Sequence, residues 1–204
     1  MDGQDLVDVL RSDHEAALAG LGSSKSLYAL TGGTVDAEHV HAAAVRELSA
    51  ARSTFQSWAS TESDDRAVTL FETAAATVAD QHDAIGPPED EPRDRNSRFE
   101  TPSVEGTAER LGAVLGWTLV TTVTVDQMVD FFVGHADPDT AETYRGVRGG
   151  VEHLRDRTAT TIELDCESDR DWSNAQAAAS ETIEAADAAY RESLAALDVD
   201  PSRD

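Results

Sequence analysis

Residues 118–125 read Thr-Leu-Val-Thr-Thr-Val-Thr-Val, and whether this run forms a strand or a stretch of helix decides the fold class of the chain. β-Branched residues lose side-chain freedom in a helix and pack well on a pleated sheet, so propensity alone favours a strand. A strand needs a partner, and none is offered: the segments on either side carry helical spacing and helical start signals. The run is therefore read as helical, within an all-α chain. Gly112 and Gly116, four residues apart just before it, suit a close contact with another helix. Thr124-x-x-Gln127 offers a fresh capping box, so a break is expected near Thr124.

Outward from this segment, the chain divides into helices. The first runs from about residue 4 to 30, with Leu6, Leu10, Ala17 and Leu21 on one stripe, a kink at Gly22-Ser23-Ser24 and a stop at Gly32-Gly33. The second, 36–60, carries Val40, Ala44, Leu48, Ala51, Phe55 and Trp58 at helical spacing. The third, 63–85, is capped by Ser63 with Asp64-Asp65 in its first turn. The fourth covers 104–134. The fifth opens at Asp137-Pro138, a cap followed by proline at the first helical position, and ends near Leu164. A sixth, alanine-rich helix covers 173–197. Residues 86–103 hold four of the six prolines together with Arg93, Arg95 and Arg98, and read as an exposed connection between two helical halves of a single domain, 1–204. Thirty-two alanines and few aromatics imply closely packed helices.

Forty acidic residues face sixteen basic ones, a formal charge of −24, and only Lys25 among the sixteen is a lysine. Such a coat repels itself in dilute buffer, whereas molar salt shortens the Debye length to about 3 Å and removes that cost. The composition thus fits a cytoplasm held at molar salt. It also disfavours direct nucleic-acid binding, since the charge repels phosphate and counterion release yields little affinity at such salt. Residues 1–10 lack the basic and apolar regions of a secretory signal, and no stretch reaches the roughly 18 apolar residues of a membrane span. A cytoplasmic protein without membrane contact is expected. Cys166, the only cysteine, sits among carboxylates that raise a thiol pKa, and is read as a packing residue.

The two halves share a local pattern. Phe71 is followed eight residues later by Ala79 and eleven later by His82; Tyr144 is followed at the same offsets by Glu152 and Arg155. Carboxylate-bridged di-iron bundles place Glu-x-x-His on each of two helices, because positions three apart share a face and can grip one metal pair. Here one helix keeps the His and the other keeps the Glu, so neither pair is complete. Arg155, with Arg148 and Arg145 on the same stripe, offers positive charge where a cation would sit. The plainer reading is solvated Arg/Glu decoration, worth about 0.2–0.5 kcal/mol per pair. Glu38-x-x-His41 lies in the first turn of the second helix and is read as surface decoration, the Glu complementing the dipole. Asp13-His14-Glu15 points to different helix faces. Gly32-Gly33 and Gly149-Gly150 lack the context of a phosphate loop, and Ser23-Ser24-Lys25 has no companion hydrolase motif. Trp58, Trp117, Trp172 and Phe131-Phe132 are read as core anchors.

The stretch Glu47-Leu-Ser-Ala-Ala-Arg-Ser-Thr-Phe55-Gln-Ser-Trp58-Ala, with Leu70-Phe71-Glu72 and Asp80-Gln81-His82-Asp83-Ala84-Ile85, resembles the first helix pair of rubrerythrin-type ferritin-like bundles. Asp126-Gln-Met-Val-Asp-Phe131-Phe132, followed by Tyr144 through Glu152 to Arg155, resembles the second, so the likeness spans about residues 36–165. Leu21-Gly-Ser-Ser-Lys-Ser-Leu-Tyr-Ala-Leu30 and Gln127-Met-Val-Asp-Phe-Phe-Val-Gly-His-Ala-Asp-Pro138 make the whole chain similar to haloarchaeal rubrerythrin-like proteins, which often carry a transcription antitermination label. The resemblance implies an up-and-down ferritin-like bundle of four core helices with extra N- and C-terminal helices. It implies Glu47, His82, Asp126 and Glu152 as surviving metal-ligand positions, with Ala79 and Arg155 as losses. It leaves two functions in view. One is a non-catalytic regulator without a cofactor, acting through a protein partner or by self-association, with the arginine-bearing 93–98 segment, the Arg145/Arg148/Arg155 stripe or the terminal helix as contact surfaces. The other is a rubrerythrin-like metal-binding or oxidative-stress protein using iron.

Overall fold

The 118–125 run is helical. In the computed structural model, which describes residues 2–87 and 104–200, it lies inside one uninterrupted helix from Thr107 to Gly134, about 42 Å long at 1.5 Å per residue. Every residue from Leu111 to Val120 is buried, so this stretch of the helix is enclosed on all sides and needs no polar face. Enclosure outweighs propensity, which amounts to tenths of a kilocalorie per residue. The threonines fit because each hydroxyl donates back along the helix: Thr118 to the Leu115 carbonyl at 2.7 Å, Thr122 to that of Thr118 at 2.7 Å and Thr124 to that of Val120 at 3.0 Å. That bond also removes the expected break. The Thr124 hydroxyl faces backward to Val120 instead of capping a new helix start.

Eight helices form the described residues: α1 (Gly3–Asp13), α2 (Glu15–Leu21), α3 (Lys25–Leu30), α4 (Ala37–Thr61), α5 (Asp65–Ile85), α6 (Thr107–Gly134), α7 (Pro138–Asp165) and α8 (Asp169–Ala196). The expected first helix, 4–30, is thus three pieces. The Gly22 break is where the chain passes α6, since a Cβ on Gly22 would stand 3.3 Å from the Val123 side chain. A second break at His14 has no glycine or proline to announce it; it lets α1 lie on α7 while α2 lies on α8. Helix α5 is capped by Asp64 rather than Ser63, its Oδ1 accepting from the backbone N–H groups of Arg66 and Ala67, both at 2.9 Å. Asp137 caps α7 with Pro138 in the first turn, as expected. Helix α8 starts four residues before the expected Ser173, because Ser168 and Asp171 form a reciprocal capping box. Past residue 87, the expected 86–103 connection, including Arg93, Arg95 and Arg98, lies outside the described residues.

Two hairpins organise the packing. Helix α4 pairs with α5, α6 pairs with α7, and α5 lies against α7. Between α4 and α6 the backbones hardly meet. Helix α8 covers the opposite side of α6 through a seam of small residues: Gly112 and Gly116 face the fully buried Ala175 and Ala179. The last helix, one of the contact surfaces offered by the sequence, thus lays an apolar face on α6 of its own chain. The stripe Val40, Ala44, Leu48, Ala51, Phe55, Trp58 is buried as read. Trp117 meets Phe55 edge-on, with ring centroids 5.3 Å apart. Among the described residues no helix is long and apolar enough to cross a membrane.

Candidate functional site

Helices α5 and α7 are equivalent in one respect: Phe71 and Tyr144, the residues that align their repeats, are both fully buried. The four ligand positions implied by the resemblance fall one on each hairpin helix, Glu47 on α4, His82 on α5, Asp126 on α6 and Glu152 on α7. Two of them are brought together. Arg148 lies between Asp126 and Glu152, its Nε 3.0 Å from Asp126 Oδ1 and its Nη2 3.4 Å from Glu152 Oε1. The Nε contact is an ion pair without the alignment of a hydrogen bond. Burial pushes the Asp126 carboxyl up from its ordinary range; Asp130 and Glu152 add to the rise, and Arg148 opposes it.

The other two positions stand apart. Glu47 receives Arg46 Nε at 3.2 Å, while Arg46 Nη2 donates to the Leu30 carbonyl at 3.1 Å. His82 sits beside Asp83, with Nδ1 3.4 Å from Oδ1. Its neighbour Gln81 is the residue turned inward, donating through Nε2 to the Val147 carbonyl at 3.0 Å. Gly150 on α7 makes room for that amide, since a Cβ there would come within 2.6 Å of Nε2. Among the described residues no three His, Cys, Asp or Glu side chains converge on a point that could hold an ion. The donor set therefore does not fit a di-iron centre: one carboxylate pair is bridged by a guanidinium and the remaining carboxylate and imidazole have other neighbours. The cation between α6 and α7 is Arg148, not Arg155, which folds its Nε and Nη2 onto Asp156 Oδ1 at 2.9 and 2.7 Å.

His41 is the polar residue that the sequence reading placed wrongly. Instead of decorating the surface, it is half-buried, and its Nδ1 lies 3.1 Å from the Tyr144 hydroxyl. Its ring lies 5.2 Å from Phe132, and Phe132 stacks on Tyr144 at 5.3 Å. Burial holds the imidazole below its ordinary pKa, against the pull of Asp137, and burial raises the Tyr144 hydroxyl. The hydrogen bond between them ties the start of α4 to α7. The spacing did carry a signal: His41 stands three residues before Ala44 and seven before Leu48, on the inward stripe.

The gap between α4 and α6 contains a cavity of about 90 Å³. Its walls are mostly apolar, among them Leu48, Trp117, Val120, Met128 and Val147, with Ser26, Glu47, Thr121 and Thr124 also lining it, and among the described residues Glu47 is its charged one. Far from it, Cys166 is buried and its thiol is pushed up to about 11, by burial first and then by Asp171 and Asp165. A thiol so placed is almost wholly protonated at pH 8. Native protein treated with iodoacetamide at that pH is expected to show no added mass, and unfolded protein one adduct per chain.

Comparison with protein-family models, with curated proteins and with solved structures finds no match for this chain.

Proposed function

We propose that this is a non-catalytic ferritin-like helical protein of a halophilic archaeon, without a resident metal, that acts in the cytoplasm through protein partners and serves transcription as an antitermination factor. The observation that carries the non-catalytic part is Arg148 between Asp126 and Glu152. Two facing carboxylates in a bundle need a cation between them, and here a side chain supplies it. Pairs this exposed contribute about 0–1 kcal/mol and are screened by salt, so the arginine's effect is to neutralise the carboxylates more than to stabilise the fold. The α4/α5 and α6/α7 hairpins, joined through α5 and α7, support the ferritin-like reading; α1–α3 and α8 would be its additions. The charge of −24 supports a role through proteins rather than nucleic acid.

Two measurements test this. Protein purified in molar salt should contain no iron, manganese or zinc at stoichiometric level; a stoichiometric metal would instead favour the degenerate di-iron reading. A pull-down in the same salt should recover RNA polymerase or elongation components, and their absence would remove the transcription role.

A further inference from the structure

We infer that the cavity between α4 and α6 is a binding site for a small neutral carbonyl compound with an apolar body of about one ring, its oxygen accepting from the buried Ser26 hydroxyl. This inference is independent of the function proposed above. The first observation is size. A water needs roughly 10–15 Å³ of such space, so a cavity of about 90 Å³ has room for about six to nine water-sized groups. An interior packed to ordinary density has few voids larger than one water. The second observation is Ser26 itself, which lines the cavity and is 2% exposed. The other buried polar side chains among the described residues spend their donors on carbonyls: Thr118, Thr122, Thr158 and Thr182 on the turn behind them, and Gln81 on Val147. Ser26 is the second residue of α3, with no turn of that helix behind it. Its backbone N–H reaches the Ser23 carbonyl, but among the described residues its hydroxyl has no hydrogen-bond partner. A buried donor without an acceptor is costly.

The rest of the lining decides the ligand. Most of its other polar groups are already engaged. Tyr144 bonds to His41, Tyr190 to Ser23, Thr124 donates to the Val120 carbonyl, and Glu47 is held by Arg46 and a further neighbour. Thr121 is only half-buried, where solvent can serve it. Leu48, Val120, Met128 and Val147 offer a ligand apolar contact alone. A molecule filling this space therefore meets one buried donor in apolar surroundings. A ketone or aldehyde oxygen accepts from Ser26 and brings no donor of its own, whereas an alcohol brings a proton that must find an acceptor in turn. An anion would find no cation in the lining.

The test is titration of the full chain in molar salt with cyclohexanone and cyclohexanol, read by calorimetry, by NMR and by the infrared carbonyl band of isotope-labelled ketone. Cyclohexanone should bind saturably and more tightly than cyclohexanol, with cross-peaks to the Met128 and Val147 side chains and a carbonyl band in its hydrogen-bonded position. Ser26→Ala should weaken cyclohexanone binding about three- to tenfold, the worth of one neutral hydrogen bond. It should also return the band to its position in apolar solvent and leave the unfolding midpoint of the free protein unchanged or higher. Ala189→Leu places a side chain in the cavity and should abolish binding. The inference is overturned if cyclohexanone shows no saturable binding, if cyclohexanol binds more tightly, or if the cross-peaks go to residues outside the cavity. It is equally overturned if Ser26→Ala binds the ketone with unchanged affinity and band, or if that variant lowers the midpoint of the free protein, which would mean that the hydroxyl already has a partner.

Discussion

Gly112→Val unfolds more easily than the parent by about 3 kcal/mol, an expected fall in midpoint near 10 °C for a chain of this size. The cause is the seam between α6 and α8. A Cβ on Gly112 would run into the Ala175 carbonyl oxygen, and it would also come 2.7 Å from that carbonyl carbon and 2.8 Å from Ala175 Cα. These are backbone atoms and cannot turn aside, so α8 itself must move. A Cβ on Gly116 meets Ala179 in the same way, with the Thr182 Cβ at 2.9 Å. The movement would loosen the apolar face that α8 lays on α6, where Ile183 and Leu194 are fully buried. Helix propensity works in the opposite direction, since replacing a helical glycine gains up to about 1 kcal/mol. The steric cost exceeds that gain. Gly146 on α7 isolates the propensity term: it is exposed, with nothing within 4 Å of an added Cβ. Gly146→Ala is therefore expected to stabilise the chain by about 0.5–1 kcal/mol. Thermal unfolding of both variants in molar salt, with opposite signs, checks the close approach.

The second large effect belongs to Glu62, in the turn between α4 and α5. Its side chain is 4% exposed and lies 3.2 Å from Arg110 Nη1, at the start of α6. Its Oε1 also accepts from the Ser63 N–H at 2.8 Å, the Asp64 N–H at 3.3 Å and the Thr107 hydroxyl at 3.0 Å. Burial alone would raise the carboxyl; those hydrogen bonds and Arg110 outweigh it and hold the group below its ordinary value. Glu62→Ala leaves a guanidinium 15% exposed without its carboxylate and is expected to cost about 3 kcal/mol. Adding Arg110→Met should recover part of that loss, because the stranded charge goes with it. The pH dependence has a definite sign. With the folded pKa depressed, the Glu62 contribution is fully present above the unfolded value of about 4.3 and is lost as pH falls through the folded value. Parent and Glu62→Ala should therefore converge in stability on acidification. Denaturant unfolding at neutral and acid pH reads this difference.

The outline of the fold was legible where spacing and caps agree. The Val40-to-Trp58 stripe, the Asp137-Pro138 start and the Gly32-Gly33 stop, where both glycines have positive φ, lie where periodicity and backbone chemistry put them. The helical state of residues 118–125 was reached by elimination of a strand partner. Its physical basis, burial of Leu111–Val120 on every side, depends on α7 and α8 and is not local. The Thr124 cap signal is ambiguous for a different reason: a hydroxyl can serve a new helix or the turn behind it, and here it donates to the Val120 carbonyl. The break at His14 had no local mark.

The site was less legible. The carboxylates of Asp126 and Glu152 share Arg148, and the sequence pattern could not say which arginine would reach them. Helix register settles it for Arg148 on α7. Register also turns Gln81 inward beside His82, a one-residue difference that loose spacing does not resolve. The dipole argument applies to Glu38 in the first turn of α4, whereas His41 continues the inward stripe of Ala44 and Leu48. The α4/α6 cavity had no sequence mark, since alanine is as common in tight seams as around a void.

In the proposed function a guanidinium, not a metal, sits between the α6 and α7 carboxylates. The most direct measurement is an anomalous difference map above the iron edge, from crystals grown in molar salt with iron(II). The predicted result is Arg148 between Asp126 and Glu152 with no peak beside them. A peak bound by those two carboxylates, with Arg148 displaced and Glu47 or His82 drawn in, would contradict it.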